Sequence, residues 1–468
     1  MSEDSLLKML GALRRAQARD GVPDAAMRED RLRRLMALLD VYAERFCETL
    51  DADFGGRSRE TSLMNDLLAT FEAAKYAKSN VRRWMKPQRR RGVFPFNLFG
   101  ARVDVQSTPK GVVGILGTWN VPLFTTLSPL SFVLAAGNRA MIKPSEQVPQ
   151  TSALLESAIA EFFGADEIAV VQGGAEVSAH FSTLPFDHLI FTGSGRTGRL
   201  VMRAAAEQLT PVTLELGGKS PVIIGRSADL ASSVYRVMAG KVMNSGQLCV
   251  SPDTVYVPAE SLGAFVEACR AAYARVAPAS VAPATAIVND HHQRRLQTLL
   301  DDARSRDAEV VVLGAPSDAT SRKTGLALIL KPPSDARISS EEIFGPLLEV
   351  HPYEAIDAVL DRIAAGPAPL ALYYFGRDAA EERAVVARTR SGGVTINDVP
   401  MHVAVLDAPF GGVGGSGFGR YHGREGFDEF SHARTVYRSG WWDPRASLGL
   451  DPPYRANTYE QLRRMLRR

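Results

Sequence analysis

The sequence predicts an α/β protein with two doubly wound parallel sheets. Two observations carry this. From Gly111 onward short β runs alternate with helical segments, and after Glu215 a second set of such runs begins. Alternation of this kind belongs to parallel sheets covered by helices. At 468 residues the chain is long enough for two or three domains.

Taken in order, Met1 to Arg19 mixes charges among Leu6, Leu7, Met9 and Leu10 and reads as a surface helix, not a signal peptide. Apolar residues at helical spacing (Leu32, Leu35, Met36, Leu39, then Leu63, Leu67, Leu68, Phe71) predict long amphipathic helices over 24–54 and 60–86. Strands follow at Val112–Leu116, Ala140–Lys143, Ile168–Val171 and His188–Phe191, with a helix from Thr151 to Phe163. The second set is Val222–Ile224, Thr254–Val257, Ala371–Phe375 and Val394–Ile396. Ala277 to Thr285 is Ala/Pro-rich and reads as a surface connection.

Composition excludes several classes. A net charge of +3 on a chain with 45% hydrophobic and 23% charged residues gives no reason to expect nucleic acid or a membrane surface as partner. The basic run Arg82–Arg91, broken by Pro87, reads as a solvated helix end or an arm touching another subunit. Gly111 to Asn138 lacks charge, but Asn120, Pro122 and Pro129 argue for a buried strand, turn and helix over a membrane span. Three scattered cysteines (Cys47, Cys249, Cys269) form neither a disulfide framework nor a zinc pattern, which points to a reducing, cytoplasmic setting. His291-His292 reads as a surface pair, and no metal is expected.

The chemistry centres on Cys249, behind Asn244-Ser245-Gly246-Gln247-Leu248. A deprotonated thiol is a good nucleophile, and Glu215 in Glu215-Leu216-Gly217-Gly218-Lys219 offers a base. A second pattern competes for Glu215. Gly193, Gly195 and Gly198 follow the strand ending at Phe191 and open a helix through Val201 to Gln208, as in dinucleotide sites. Glu215 falls about where the ribose-binding acid of that pattern belongs, and one carboxylate cannot serve both roles. Asn120, in Trp119-Asn120-Val121-Pro122, reads either as an oxyanion donor at a strand end or as a turn residue near proline. Lys143-Pro144-Ser145-Glu146 reads either as a ribose clamp or as a solvated turn.

Seven ordered motifs together resemble the aldehyde dehydrogenase superfamily. They are Trp119-Asn120, Lys143 to Glu146, Phe191 to Gly198, Glu215 to Lys219, Gly246 to Cys249, Glu341-Glu342-Ile343-Phe344-Gly345-Pro346, and Pro409 to Gly412. The segments Ser416 to Gly423, Gly426-Phe427-Asp428 and Phe430-Ser431-His432 are similar to its class 3 branch; Asn397-Asp398-Val399 and Met401-His402-Val403 resemble its bacterial coniferyl aldehyde dehydrogenases.

The resemblance implies catalytic roles for Cys249 (nucleophile), Glu215 (base) and Asn120 (oxyanion donor). It implies cofactor contacts at Trp119, Lys143, Ser145, Glu146, Gly193, Ser194, Gly198, Glu342 and Phe344, and so removes Glu215 from the ribose role. It implies a cofactor-binding domain (1–84 and 108–214), a catalytic domain (215–420), a β oligomerisation arm (85–107 and 421–445) and a tail (446–468). The expected cofactor is NAD, with NADP open because Arg196 stands at the phosphate turn. The expected substrate is a small aldehyde and the expected assembly a homodimer. Two departures stand out: Thr118 replaces the usual proline before Trp-Asn, and Ala404 to Asp407 is unusually apolar. Rival readings are an acylating relative using coenzyme A and a non-catalytic protein retaining the fold.

Overall fold

The computed structural model describes residues 2–277, 285–314 and 320–466. Nearly all of the Ala277–Thr285 connection therefore lies outside the described residues. Three sheets organise the rest. The six-stranded sheet runs in the order Gly417–Phe418, Val212–Leu216, His188–Gly193, Val112–Leu116, Arg139–Lys143, Ile168–Val170. All its pairs are parallel except that of Gly417–Phe418. Its central strands are apolar on both faces because helices cover both sides, which is why they read as continuous hydrophobic runs.

The chain leaves this sheet's central strand, Val112–Leu116, toward Arg139–Lys143 and later returns on its other side at His188–Gly193. That reversal is a topological switch point, and open α/β sheets bind ligands outside the strand ends there. Trp119-Asn120 and Ser194 follow the two strands that flank it.

The seven-stranded sheet has the order Glu309–Val312, Ala327–Leu330, Leu347–Tyr353, Thr254–Pro258, Pro221–Ile224, Ala371–Phe375, Gly393–Ile396, parallel except at Glu309–Val312. A third, antiparallel sheet joins Gln88–Arg90, Arg102–Pro109 and Ser431–Arg438. Just before it, the helix Gly423–Glu429 packs Phe427 against Trp84 in the body of the protein.

The expected long helices are interrupted. The 24–54 segment breaks at Tyr42, between Ala25–Val41 and Ala43–Phe54. The 60–86 segment runs through Arg59–Ser62, a π-helical turn over Leu63–Leu68, and Ala69–Trp84. Apolar spacing cannot register such a turn, which inserts an extra residue into the helical repeat. Asp66, inside it, is fully buried. Among the described residues no helix is long and apolar enough to cross a membrane.

Candidate active site

Glu215 is not in a loop. It occupies the strand Val212–Leu216 and is 2% exposed. Cys249 lies beyond a tight turn in which Asn244, Ser245 and Gly246 all take left-handed conformations (φ 49°, 54° and 72°). Left-handed non-glycine residues cost about 1–3 kcal/mol each and persist only where the surroundings hold them. Gln247 does this: its Nε2 donates to the carbonyls of Asn244 (3.0 Å) and Ala286 (3.1 Å), and its Oε1 accepts from Val288 N (3.1 Å).

The turn brings the Cys249 thiol near enough to the Glu215 carboxyl for each to perturb the other. Burial lifts Glu215 to about 7, a value suited to a base working near neutrality. Burial, with the charges of Glu215 and Glu342, pushes the thiol well up. Glu215 Oε1 is buried without a protein partner. Glu342 is raised to about 8 by burial and by the nearby Asp253 charge. A Cβ on Gly217 would stand 2.2 Å from both Glu342 carboxylate oxygens, so only glycine lets that carboxylate lie against the strand end.

Asn120, 1% exposed, donates from Nδ2 to the Gln247 carbonyl at 3.0 Å. A carbonyl only accepts, so the group facing it is the NH2, and its second N–H remains for another acceptor. Trp119 packs with Phe344 at 5.3 Å between ring centroids and with His292 at 4.8 Å. His292 is thus a packed residue, half-buried and pushed down to about 4 by that burial, whereas His291 is exposed. Among the described residues no group of three His, Cys, Asp or Glu is placed to hold a metal ion.

The remaining predicted residues bond within their own turns. Lys143, 2% exposed, donates to the Pro144 carbonyl (2.8 Å) and to Glu146 (3.0 Å). Ser145 Oγ accepts from Gln147 N. Gly193 ends its strand, and Ser194 caps the helix Gly195–Ala206 by accepting from Thr197 N. Gly198 is buried with Leu216 2.8 Å from where a Cβ would be, so it serves close helix–strand packing. A cleft of about 490 Å³ runs past Gly195, Leu216, Gly217, Gly218 and Glu342. Its lining includes the start of the helix Gly195–Ala206 and the Glu342 carboxylate, groups that suit a phosphate and a ribose, but of the expected cofactor residues only Glu342 lies in it.

Several residues of the site were missed from sequence. Arg295 donates to the Glu342 carbonyl at 3.0 Å, and Asp253 accepts from Ile343 N at 2.7 Å; both hold the segment carrying Glu342 and Phe344. Arg57 and Asp66 brace the Asn120 loop. Asp66 did leave a signal: a lone carboxylate just before Leu67 and Leu68 in an otherwise apolar pattern.

Comparison with known proteins adds an independent line. The model of the Aldehyde dehydrogenase family matches residues 7–436. A probable coniferyl aldehyde dehydrogenase of Caulobacter vibrioides is 46% identical, over 94% of this chain and 92% of that protein. The coniferyl aldehyde dehydrogenase of Pseudomonas sp. (strain HR199) is 42% identical, over 92% and 90%. The substrate-bound state of Staphylococcus aureus AldH superposes with a TM-score of 0.91 at 32% identity, covering 98% of this chain and 99% of that one. A Mycobacterium tuberculosis aldehyde dehydrogenase complexed with NAD+ gives a TM-score of 0.81 at 27% identity, covering 93% and 90%.

Proposed function

This chain belongs to the aldehyde dehydrogenase family, and on that footing we propose that it oxidises an aromatic, coniferaldehyde-like aldehyde to the carboxylic acid. One observation carries the reading: a thiol, a carboxyl poised near 7 and a buried amide donor converge beside a cleft suited to a nucleotide.

Cys249, once deprotonated, attacks the carbonyl carbon to give a thiohemiacetal. The free Asn120 N–H, with the Cys249 backbone N–H, stabilises the oxyanion. A single such donor contributes about 2.7–4 kcal/mol in other enzymes. A pyridine nucleotide, when bound, would supply the hydride acceptor needed for the thiohemiacetal on Cys249 to become a thioester. Glu342, Phe344, Trp119, Lys143, Ser145, Glu146, Gly193, Ser194 and Gly198 are the residues that would hold it. Glu215 then takes a proton from water, and the hydroxide releases the acid from Cys249.

The substrate class rests on what the two coniferyl aldehyde dehydrogenases are called. Water as acceptor, in place of coenzyme A, rests on Glu215. The same reading places the second copy of a cytoplasmic homodimer against the arm, where Phe94 and Trp441 are exposed. The test is product analysis with coniferaldehyde and NAD, without coenzyme A. One acid per reduced cofactor is expected; a strict requirement for coenzyme A would overturn it.

A further inference from the structure

The Asn120 loop is braced by a buried ion pair that takes no part in the steps above. Arg57 and Asp66 contact each other (Nη2 to Oδ2, 2.5 Å), and both side chains are completely buried. Each also reaches the loop from a different side. Arg57 Nη1 donates to the Asn120 carbonyl at 3.1 Å. Asp66 Oδ1 accepts from Leu123 N at 2.9 Å and Phe124 N at 3.3 Å, in the first turn of the helix Pro122–Ala135.

The brace continues across the site. The Asn120 carbonyl accepts a second bond, from Asn244 Nδ2 at 3.0 Å, and Asn244 belongs to the left-handed turn before Cys249. Arg57 lies over the Phe54 ring, which packs against Trp119. The residue before Asn120, its own carbonyl and the two N–H groups that follow Pro122 are thus all restrained. Asp66 reaches this place from the π-helical turn Leu63–Leu68. Turns of that kind cluster at functional sites.

Energetics separate this pair from a stability device. A buried ion pair is often matched or bettered in stability by well-packed apolar residues, whereas losing one partner strands a charge and is strongly destabilising. A pair so placed is better explained by the geometry it imposes. We propose that Arg57 and Asp66 are positioning residues that hold the Asn120 amide in line with the oxyanion formed at Cys249. The inference rests on the oxyanion role given to Asn120 above, and its test keeps the two apart.

The experiment compares the wild type, Asn120→Ala, the double variant Arg57→Met with Asp66→Leu, and all three changes together. The double variant removes both charges at once and so strands neither. Pre-steady-state formation of reduced cofactor, cofactor binding by titration, and Tm are measured for each. Asn120→Ala is expected to slow the burst about 100-fold or more. The double variant is expected to slow it at least about tenfold with cofactor affinity unchanged, and with Tm lowered because the Leu123 and Phe124 N–H groups lose Asp66 as acceptor. The triple variant is expected to be no slower than Asn120→Ala, because residues acting through one group are not additive.

A slow Asn120→Ala beside a full-speed double variant would overturn the pair's role alone. A full-speed Asn120→Ala would overturn the oxyanion reading and the pair's role with it. Should the double variant fold poorly, Arg57→Lys preserves the charge but replaces Nη1 and Nη2, which bond the Asn120 carbonyl and Asp66 separately, with one ammonium nitrogen that cannot reproduce the planar two-pronged geometry. A slower burst supports the proposal there too, and a wild-type burst contradicts it.

Discussion

The two walls of the site are built in opposite ways. On the Asn120 wall the carbonyl of Asn120 has two donors, its amide is engaged, and Asp66 satisfies the backbone N–H groups beyond it. On the acid wall Glu342 borders an open cleft, and Glu215 Oε1 is buried without a protein partner, as Asn120 Oδ1 and Asn244 Oδ1 are on the other. Both acids are lifted toward or past neutrality by burial. An oxyanion donor works best when it does not have to reorganise, so that wall is fastened. The role proposed for Glu215 needs a group that gains and loses a proton at working pH, and burial sets it near that range.

The comparison breaks most completely at the residue between the walls. Cys249→Ala is expected to abolish aldehyde oxidation while leaving cofactor binding intact. Measurable turnover with the same aldehyde would remove the nucleophile assignment.

A smaller effect separates the walls by pH. The folded values of Glu215 and Glu342, about 7 and about 8, lie above the usual 4.5 of an unfolded glutamate. Such groups bind more protons folded than unfolded. Their stabilising contribution is full below about 4.5 and is lost as pH rises through about 7 and 8. Glu215→Gln should therefore flatten the fall of Tm between about pH 4.5 and pH 7 and leave the variant about 1–3 kcal/mol more stable than wild type above pH 8. Parallel Tm profiles would mean that Glu215 is ordinary in the folded protein.

The smallest effect concerns the far end of the cleft. Arg196 is exposed in the first turn of Gly195–Ala206. If it assists a 2′-phosphate, Arg196→Ala should shift the ratio of kcat/KM for NADP over NAD downward several-fold. An unchanged ratio would end that role.

The walls also differ in how far they could be read from sequence. Parallel strands such as Val112–Leu116 and Ala371–Phe375 were legible because burial on both faces leaves an unbroken apolar run. Cys249 and Asn120 were legible from the glycines and prolines around them. Their roles, and those of Glu342 and Phe344, came from the family's motifs, since no local pattern separates a catalytic carboxylate from a ribose ligand. Glu215 lies in the strand Val212–Leu216, a placement that Gly217 and Gly218 just beyond it conceal in the sequence. The Arg57–Asp66 brace stayed hidden because its energy lies in contacts with residues some 60 positions away, which spacing along the chain does not encode.

The central claim is that a fixed donor and a movable proton serve different halves of one reaction, and Glu215→Gln tests it most directly. Rapid mixing of that variant with aldehyde and NAD should give a burst of reduced cofactor near one per active site, followed by steady turnover slowed at least about 100-fold. A burst that vanished together with turnover would contradict the account, because Glu215 would then be needed to form the thioester and not only to hydrolyse it.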